Sequence, residues 1–365
     1  MKPEPSSSHP TDAPAAASVL VRISEAFAGI ADEVLKQFGA MSCKPLGSEY
    51  YWIKTATPAA VRQSMAAVFA RWNLPLDHAW PCNPSKMDGF LDKAAQTLLQ
   101  KFGTRKPQAS FIGLLNPGSP DRYFKNLAAN LRDRTLRVFP PLPVQNVEEQ
   151  NPDAETLFCL VGKEGLYCGM TSPRASNGFY PGGSKFIGTS TPDTISRAGA
   201  KIAEALHYLG LHRPPMPPGS RWLELGACPG GMTSELLNRQ FRVTAIDVAA
   251  LDKRLDGHPG LTFIRSNVTE FHPADRATYD ALLCDMNGPP ADSIRQVVRL
   301  SKHLAPGGIV VFTLKLPRVE SVAAPLKLLD ATVATATAGG LRLFAKTHLT
   351  YNRHEFTLFF ERGAL

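Results

Sequence analysis

The sequence predicts an α/β fold: a mostly parallel sheet finished by an antiparallel strand, preceded by a smaller α+β half. Three observations carry this. From about Thr191 the chain alternates strand-like apolar runs with helix-like ones, the order of a parallel sheet with crossover helices. Near the end, LRLFAKTHLT, a polar turn YNRHE and FTLFFER read as an antiparallel hairpin. Ahead of these, SVLVRISEAFAGIADEVLKQFGA reads as strand, helix and glycine stop, and EYYWIKT as a second strand.

Taken in order, residues 1–17 (MKPEPSSSHPTDAPAAA) are rich in Pro, Ser and Ala and read as a disordered tail. They lack the basic-then-apolar order of a secretory signal. Residues 18–170 form the α+β half. It opens like a ferredoxin-like unit, and a second small module follows in ASFIGLLNPG, the helical YFKNLAANLRDR, and the strands TLFCLVGK and GLYCGMTS. Residues 171–195 read as a connector. In 196–365, SRAGAKIAEALHYLG has helical periodicity with Ile202, Ala205, Leu206 and Leu209 on one face. The runs RWLELGA, FRVTAIDV, LTFIRSNV, YDALLCDM and GGIVVFTLKL are the successive strands, with helices at MTSELLNRQ and DSIRQVVRLSKHL.

With 365 residues, each half is long enough to bury its own core. No run reaches the roughly 18 uninterrupted apolar residues of a membrane helix, so no membrane partner is expected. The six cysteines show no CxxC or Cys/His spacing, which points to buried thiols in a reducing cytoplasm and to no metal site. A net charge of +8, spread over both halves, suits a polyanionic partner such as RNA.

The stretch LELGACPGGMTSELL joins a strand to a helix through a glycine-rich corner. A dinucleotide turn would read GxGxxG. Here Cys228-Pro229 stands where the backbone would approach a pyrophosphate, and the corner carries no basic residue. Asp247 ends the next strand, where a carboxylate can accept hydrogen bonds from ribose hydroxyls. Adenosine with a zwitterionic amino-acid tail, S-adenosylmethionine, fits this pattern.

LGACPGG, CDM and LKLP, in this order, resemble the FtsJ-type RNA ribose 2′-O-methyltransferases. Within that group the chain is most similar to the bacterial 23S rRNA cytidine 2′-O-methyltransferases of the RlmM family, whose N-terminal half carries a THUMP module. The resemblance is densest over residues 179–317 and rests on FCLVGKEGLYCGMTS and general layout in the first half. It implies a Rossmann-like methyltransferase sheet behind a ferredoxin-like and THUMP-like half. It also implies S-adenosylmethionine as methyl donor, RNA (23S rRNA or a large-subunit precursor) as partner, and a Lys-Asp-Lys-Glu tetrad at Lys201, Asp285, Lys315 and Glu355. The implied cofactor contacts are Gly226, Cys228, Pro229, Gly230, Gly231, Asp247, Asn267 and Asp285. Two positions depart from the family pattern. Ala198 replaces a serine, and Asn267 replaces the aspartate that faces adenine.

The chemistry explains the tetrad. Methylating a sugar hydroxyl requires positioning the oxygen and removing its proton. A lysine serves as base when burial or a second cation destabilises its ammonium. Lys315 is therefore read as the proton acceptor, Lys201 as the second cation, and Asp285 and Glu355 as orienting groups. His348 and His354 read as solvent-facing residues beside the hairpin. Lys101, Arg105 and Lys106, and Lys125, Arg132, Arg134 and Arg137 with Tyr123, Phe124 and Phe139, read as phosphate and base contacts. Two rival readings stand beside this one: a methyltransferase acting on a base or a protein, and a catalytically silent RNA-binding or ribosome assembly factor.

Overall fold

A computed structural model describes residues 16–141, 151–178 and 194–363. The expected tail, apart from its last two residues, and most of the expected connector lie outside the described residues. The first module is β1 (Ala17–Ile23), α1 (Ala31–Gln37), β2 (Ala40–Leu46), β3 (Tyr50–Thr55), α2 (Pro58–Gln63) and β4 (Ala70–Pro75). Its sheet runs β2-β3-β1-β4, antiparallel throughout, which is the ferredoxin-like order. Alternation along β1 divides its side chains. Val19, Val21 and Ile23 enter one core, while Leu20 enters the layer against the second module with Phe158 and Tyr167.

The second module is β5 (His78–Pro81), α3 (Phe90–Phe102), β6 (Ala109–Leu114), α4 (Arg122–Thr135), β7 (Thr156–Gly162) and β8 (Gly165–Thr171). The sheet order is β5-β8-β7-β6, with β6 and β7 parallel. Several of these elements go beyond the expected ones: β2, β4, β5, α2 and α3. Strand β2 is an edge strand exposed along most of its length and contains Pro45, so it shows no two-residue alternation. Helix α3 buries Phe90, Ala94, Leu98 and Phe102, a four-residue spacing that is plain once the fold is known.

The third module opens with α5 (Ala198–Leu209), β9 (Arg221–Leu225), α6 (Gly231–Asn238), β10 (Arg242–Asp247), β11 (Leu261–Arg265) and β12 (Tyr279–Cys284). It closes with α7 (Pro290–Ser301), β13 (Leu304–Lys315), α8 (Ala323–Ala338), β14 (Leu341–Thr347) and β15 (Glu355–Arg362). The sheet runs β11-β10-β9-β12-β13-β15-β14. Its first five strands are parallel, and β15 is antiparallel to both neighbours. The α/β expectation with an antiparallel end therefore holds. The chain walks outward from β9 to β11 and returns to β12, so a ligand crevice opens beyond the carboxyl ends of β9 and β12.

Helices α5 and α6 cover one face of this sheet, with Ile202, Ala205, Trp222, Val311 and Phe359 in one core. The opposite face carries α7 and α8 and also receives the first module. Val21, Phe27, Val34 and Phe69 share a continuous core with Leu223, Leu282, Phe312 and Phe356. Phe69 meets both Phe27 and Phe356 edge-on at 5.0 Å. The first module and the methyltransferase-like sheet therefore do not have separate cores, contrary to the expectation from chain length.

The thiols also differ from expectation. Cys159, Cys168 and Cys284 are buried, but Cys43 and Cys228 are exposed and Cys82 is intermediate. Cys43 lies on the edge strand β2, and Cys228 lies in the loop above the sheet rim. Among the described residues no helix is long and apolar enough to cross a membrane. No cluster of His, Cys, Asp and Glu there could hold a metal.

Candidate active site

The glycine corner forms as its sequence suggests. Gly226 leaves β9 with φ +80°, and a Cβ there would come within 3.0 Å of the Met286 backbone. Gly230 precedes α6 with φ +105°, where a Cβ would strike Leu255. These glycines let two loops close over the sheet end without a side chain between them. Beneath the corner, buried Glu224 accepts a hydrogen bond from Thr233 Oγ1 at 2.7 Å and so joins β9 to α6. Burial pushes the Glu224 carboxyl up to about 8, opposed by the Thr233 bond and reinforced by Asp285 and Asp247.

Asp247 stands half-exposed at the end of β10. Its Oδ2 accepts the Cys228 N–H and its Oδ1 accepts the Ala249 N–H, both at 2.9 Å. Each oxygen keeps a second lone pair for an outside donor. Asn267 lies across the cavity, where its Oδ1 accepts from Thr269 N at 3.0 Å and Thr269 Oγ1 at 2.9 Å. The backbone N–H of Thr269 can only face an oxygen, so the amide orientation is determined, and the free edge of Asn267 is its donor Nδ2. The Cys228 thiol is pushed up by desolvation and by Asp247, so nothing activates it as a nucleophile. Cys284 is buried and raised to about 12, chiefly by desolvation.

The four charged residues come together at the rim of β12, β13 and β15. Lys201 Nζ lies 3.1 Å from Asp285 Oδ2 and 2.8 Å from Glu355 Oε2. Lys315 Nζ lies 2.8 Å from Asp285 Oδ1 and 2.8 Å from Glu355 Oε1. The result is a closed ring of alternating charge with no net charge. Lys315 and Glu355 are directly paired across β13 and β15, so sheet register itself sets one side of the ring. Lys201 arrives from α5, the helix that precedes β9.

A cavity of 430 Å³ collects Gly226, Asp247, Asn267, Asp285, Met286 and Lys315 on its wall, together with Cys228, Pro229 and Gly231. Gly230 and the other two ring members, Lys201 and Glu355, are not on that wall. The Lys315 side chain is 24% exposed against 12% for Lys201, so Lys315 is the lysine the cavity can reach. Burial works against the Lys315 ammonium, but Asp285 and Glu355 outweigh it and hold the group above its ordinary value. Glu355 shows the reverse balance. Burial raises its carboxyl, and Lys201 and Lys315 bring it below its ordinary value. The expectation that Lys315 is already destabilised is therefore not met in the ring as it stands, because two carboxylates face it.

Sequence reasoning missed the groups that hold this rim. Glu204, one turn beyond Lys201, accepts the N–H groups of Thr350 and Tyr351 at 2.9 and 3.2 Å. Asn352 accepts from Leu349 N and Thr357 Oγ1, and donates to Glu355 Oε2 at 3.1 Å. His348 is buried, not solvent-facing, with Arg71 Nε on its Nδ1 and its Nε2 on the Arg353 carbonyl. Glu204 falls away from the face of Ile202, Ala205, Leu206 and Leu209, so helical periodicity reads it as solvent-facing, and only packing shows it buried.

The basic segments of the second module are less free than expected. Arg134 pairs with Asp92, Arg105 pairs with Asp77, and Arg132 donates to the Ile112 carbonyl at 3.0 Å. Phe139 is buried in the module core and Phe124 packs against it. Lys101, Lys106, Lys125 and Arg137 stand exposed, as does Tyr123.

A switch-point crevice with a glycine corner after the first strand and a carboxylate ending the second is the arrangement of the S-adenosylmethionine-dependent methyltransferase class. Residues 194–329 form an FtsJ-like methyltransferase domain, matching that family along this span. The chain is 33% identical over 178 residues to ribosomal RNA large subunit methyltransferase M of Laribacter hongkongensis, covering 47% of this chain and 49% of the relative. It is 35% identical over 170 residues to the protein of the same name from Halorhodospira halophila, covering 46% and 48%. The chain thus spans about half the length of the curated relatives it matches. Among solved structures, Aeropyrum pernix fibrillarin with bound S-adenosyl-L-methionine is similar at 17% identity and a TM-score of 0.35, covering 60% of this chain and 85% of fibrillarin.

Proposed function

We propose that the protein transfers a methyl group from S-adenosylmethionine to a ribose 2′-hydroxyl of RNA, at a cytidine of 23S rRNA, with Lys315 as proton acceptor. One observation carries the reading: the only ring lysine on the cavity wall is Lys315, between two carboxylates at the carboxyl edge of the sheet. The cavity fits the donor, since Gly226 and Gly231 leave its wall bare of side chains and its carboxylate at Asp247 has lone pairs open to hydroxyls. When bound, the donor would supply an electrophilic methyl on a cationic sulfur, and a cation in the cavity that Lys315 lines would disfavour its ammonium.

Asp247 would hold the ribose hydroxyls, and Gly226, Cys228, Pro229 and Gly231 would line the wall along the amino-acid tail, with Gly230 turning the chain between them. Asn267 would offer adenine a donor where the family pattern has an acceptor. Asp285 and Glu355 would aim Lys315 Nζ at the substrate hydroxyl, and Nζ would take the 2′-hydroxyl proton as the oxygen gains the methyl. Lys201 would hold Glu355 and Asp285 in place, since it contacts both. Exposed Lys101, Lys106, Lys125 and Arg137 would supply phosphate contacts that position the RNA.

The test is methylation of large-subunit rRNA by the purified chain with labelled donor, followed by nucleoside mass analysis. The reading requires 2′-O-methylcytidine with wild type and none with Lys315→Ala. A base-methylated nucleoside, or a methylated protein, overturns it in favour of another acceptor. RNA binding without any methyl transfer makes the chain an assembly factor.

A further inference from the structure

The ring carboxylate Glu355 begins β15, immediately after a loop that the first module grips. Arg71, on β4, is buried at 7% exposure. Within its own module it pairs with Glu49 Oε1 at 3.1 Å and donates to Ser24 Oγ at 3.1 Å. Across the interface its Nε donates to His348 Nδ1 at 3.2 Å, and its Nη2 reaches the carbonyls of Leu349 and Thr350 at 3.4 and 3.3 Å. Those carbonyls belong to a turn between β14 and β15, in which Leu349 O also accepts the Asn352 N–H at 3.1 Å. Glu204 holds the N–H side of the same turn. Asn352 then links the turn to Glu355.

We propose that Arg71 is a positioning residue for methyl transfer: it clamps the turn between β14 and β15, so that Asn352 presents Glu355 to both lysines. The first module is thus part of the catalytic scaffold as well as any RNA platform. The inference rests on the assignment of Lys315 as proton acceptor. A guanidinium suits the task because its planar fork serves a ring nitrogen, two carbonyls and a carboxylate at once, which an ammonium cannot do. Loss of the clamp frees the residue that aims Lys315, and a displacement of about 1 Å in such a site costs on the order of 100-fold in rate.

The experiment uses full-length Arg71→Met, Arg71→Lys and Asn352→Ala, with Lys315→Ala beside them. Donor affinity, RNA KM, kcat and the pH–rate profile are measured for each. Arg71→Met should keep donor affinity and RNA KM while its plateau kcat falls about 10–100-fold. Its alkaline limb should move to lower pH, because Lys315 loses a fixed Glu355 and keeps only Asp285 opposite it, with Lys201 nearby. Arg71→Lys should recover part of the rate. Asn352→Ala changes no residue of the first module and should reproduce the kcat loss and the limb shift, which keeps the test decisive if Arg71→Met fails to fold. A wild-type plateau and limb in folded Arg71→Met or in Asn352→Ala overturns the inference, as does a loss confined to donor or RNA binding. Activity retained by Lys315→Ala overturns the base assignment instead, whatever the Arg71 variants do.

Discussion

Lys315 is held as an ammonium by Asp285 and Glu355 against the effect of burial. Its base form is therefore scarce until charge in the ring is rebalanced, and methyl transfer should accelerate from neutral towards alkaline pH. A pH-independent rate over that range would remove Lys315 from the proton transfer. Lys315→Ala should abolish turnover, a general base being worth about 10²–10⁴-fold, while calorimetry still detects donor binding. Asp247→Ala should act on the other step. Loss of a charge-assisted contact costs roughly 1.5–3 kcal/mol, and so weakens donor binding about 10–100-fold. Because Asp247 also holds the Cys228 and Ala249 N–H groups, unchanged affinity in the variant would refute both its ligand role and its loop role.

At the scale of elements, the junction of β9 and α6 depends on Glu224. Its folded-state value is raised from 4.5 to about 8, first by desolvation. A raised value means that the native state keeps a proton the unfolded chain loses. The contribution is full below 4.5 and is lost as pH rises through about 8. Glu224→Gln removes the titration and should keep the Thr233 bond. Denaturant unfolding at several pH values should show the wild type losing stability relative to Glu224→Gln between those limits. Parallel stability profiles for the two proteins would show that Glu224 is ionised in the fold.

For the whole molecule, the shared core decides what can be separated. A chain beginning at Thr194 would expose Phe356, Phe312 and Leu282, which the first module helps to cover through Phe27 and Phe69. It would also lose Arg71. Such a truncation should unfold at markedly lower denaturant than the full chain and should not methylate RNA. Full-rate methylation by the truncated chain would show that the first module is dispensable. RNA affinity of the intact protein should fall as salt rises, and neutralising Lys101, Lys106, Lys125 and Arg137 should flatten that dependence. Neutralising Arg134 or Arg105 should do less, since Asp92 and Asp77 already occupy them.

The methyltransferase-like sheet was legible in the residues themselves. Buried parallel strands read as apolar runs, the glycine corner has no other economical conformation, and the acidic residues at strand ends fall where a parallel sheet binds its ligands. Local pattern therefore determined the class of fold and pointed to the glycine corner and Asp247, while the four charged residues were singled out by the resemblance to a known family. It could not show that Lys201 and Lys315 both contact Asp285 and Glu355, because those contacts join α5, β12, β13 and β15 across long sequence separations. Nor could it show that two carboxylates hold the Lys315 ammonium above its ordinary value, that His348 is buried, or that Arg71 grips the turn before β15. Burial and charge balance are sums over neighbours brought together by packing, and a one-dimensional pattern carries no record of which neighbours those are.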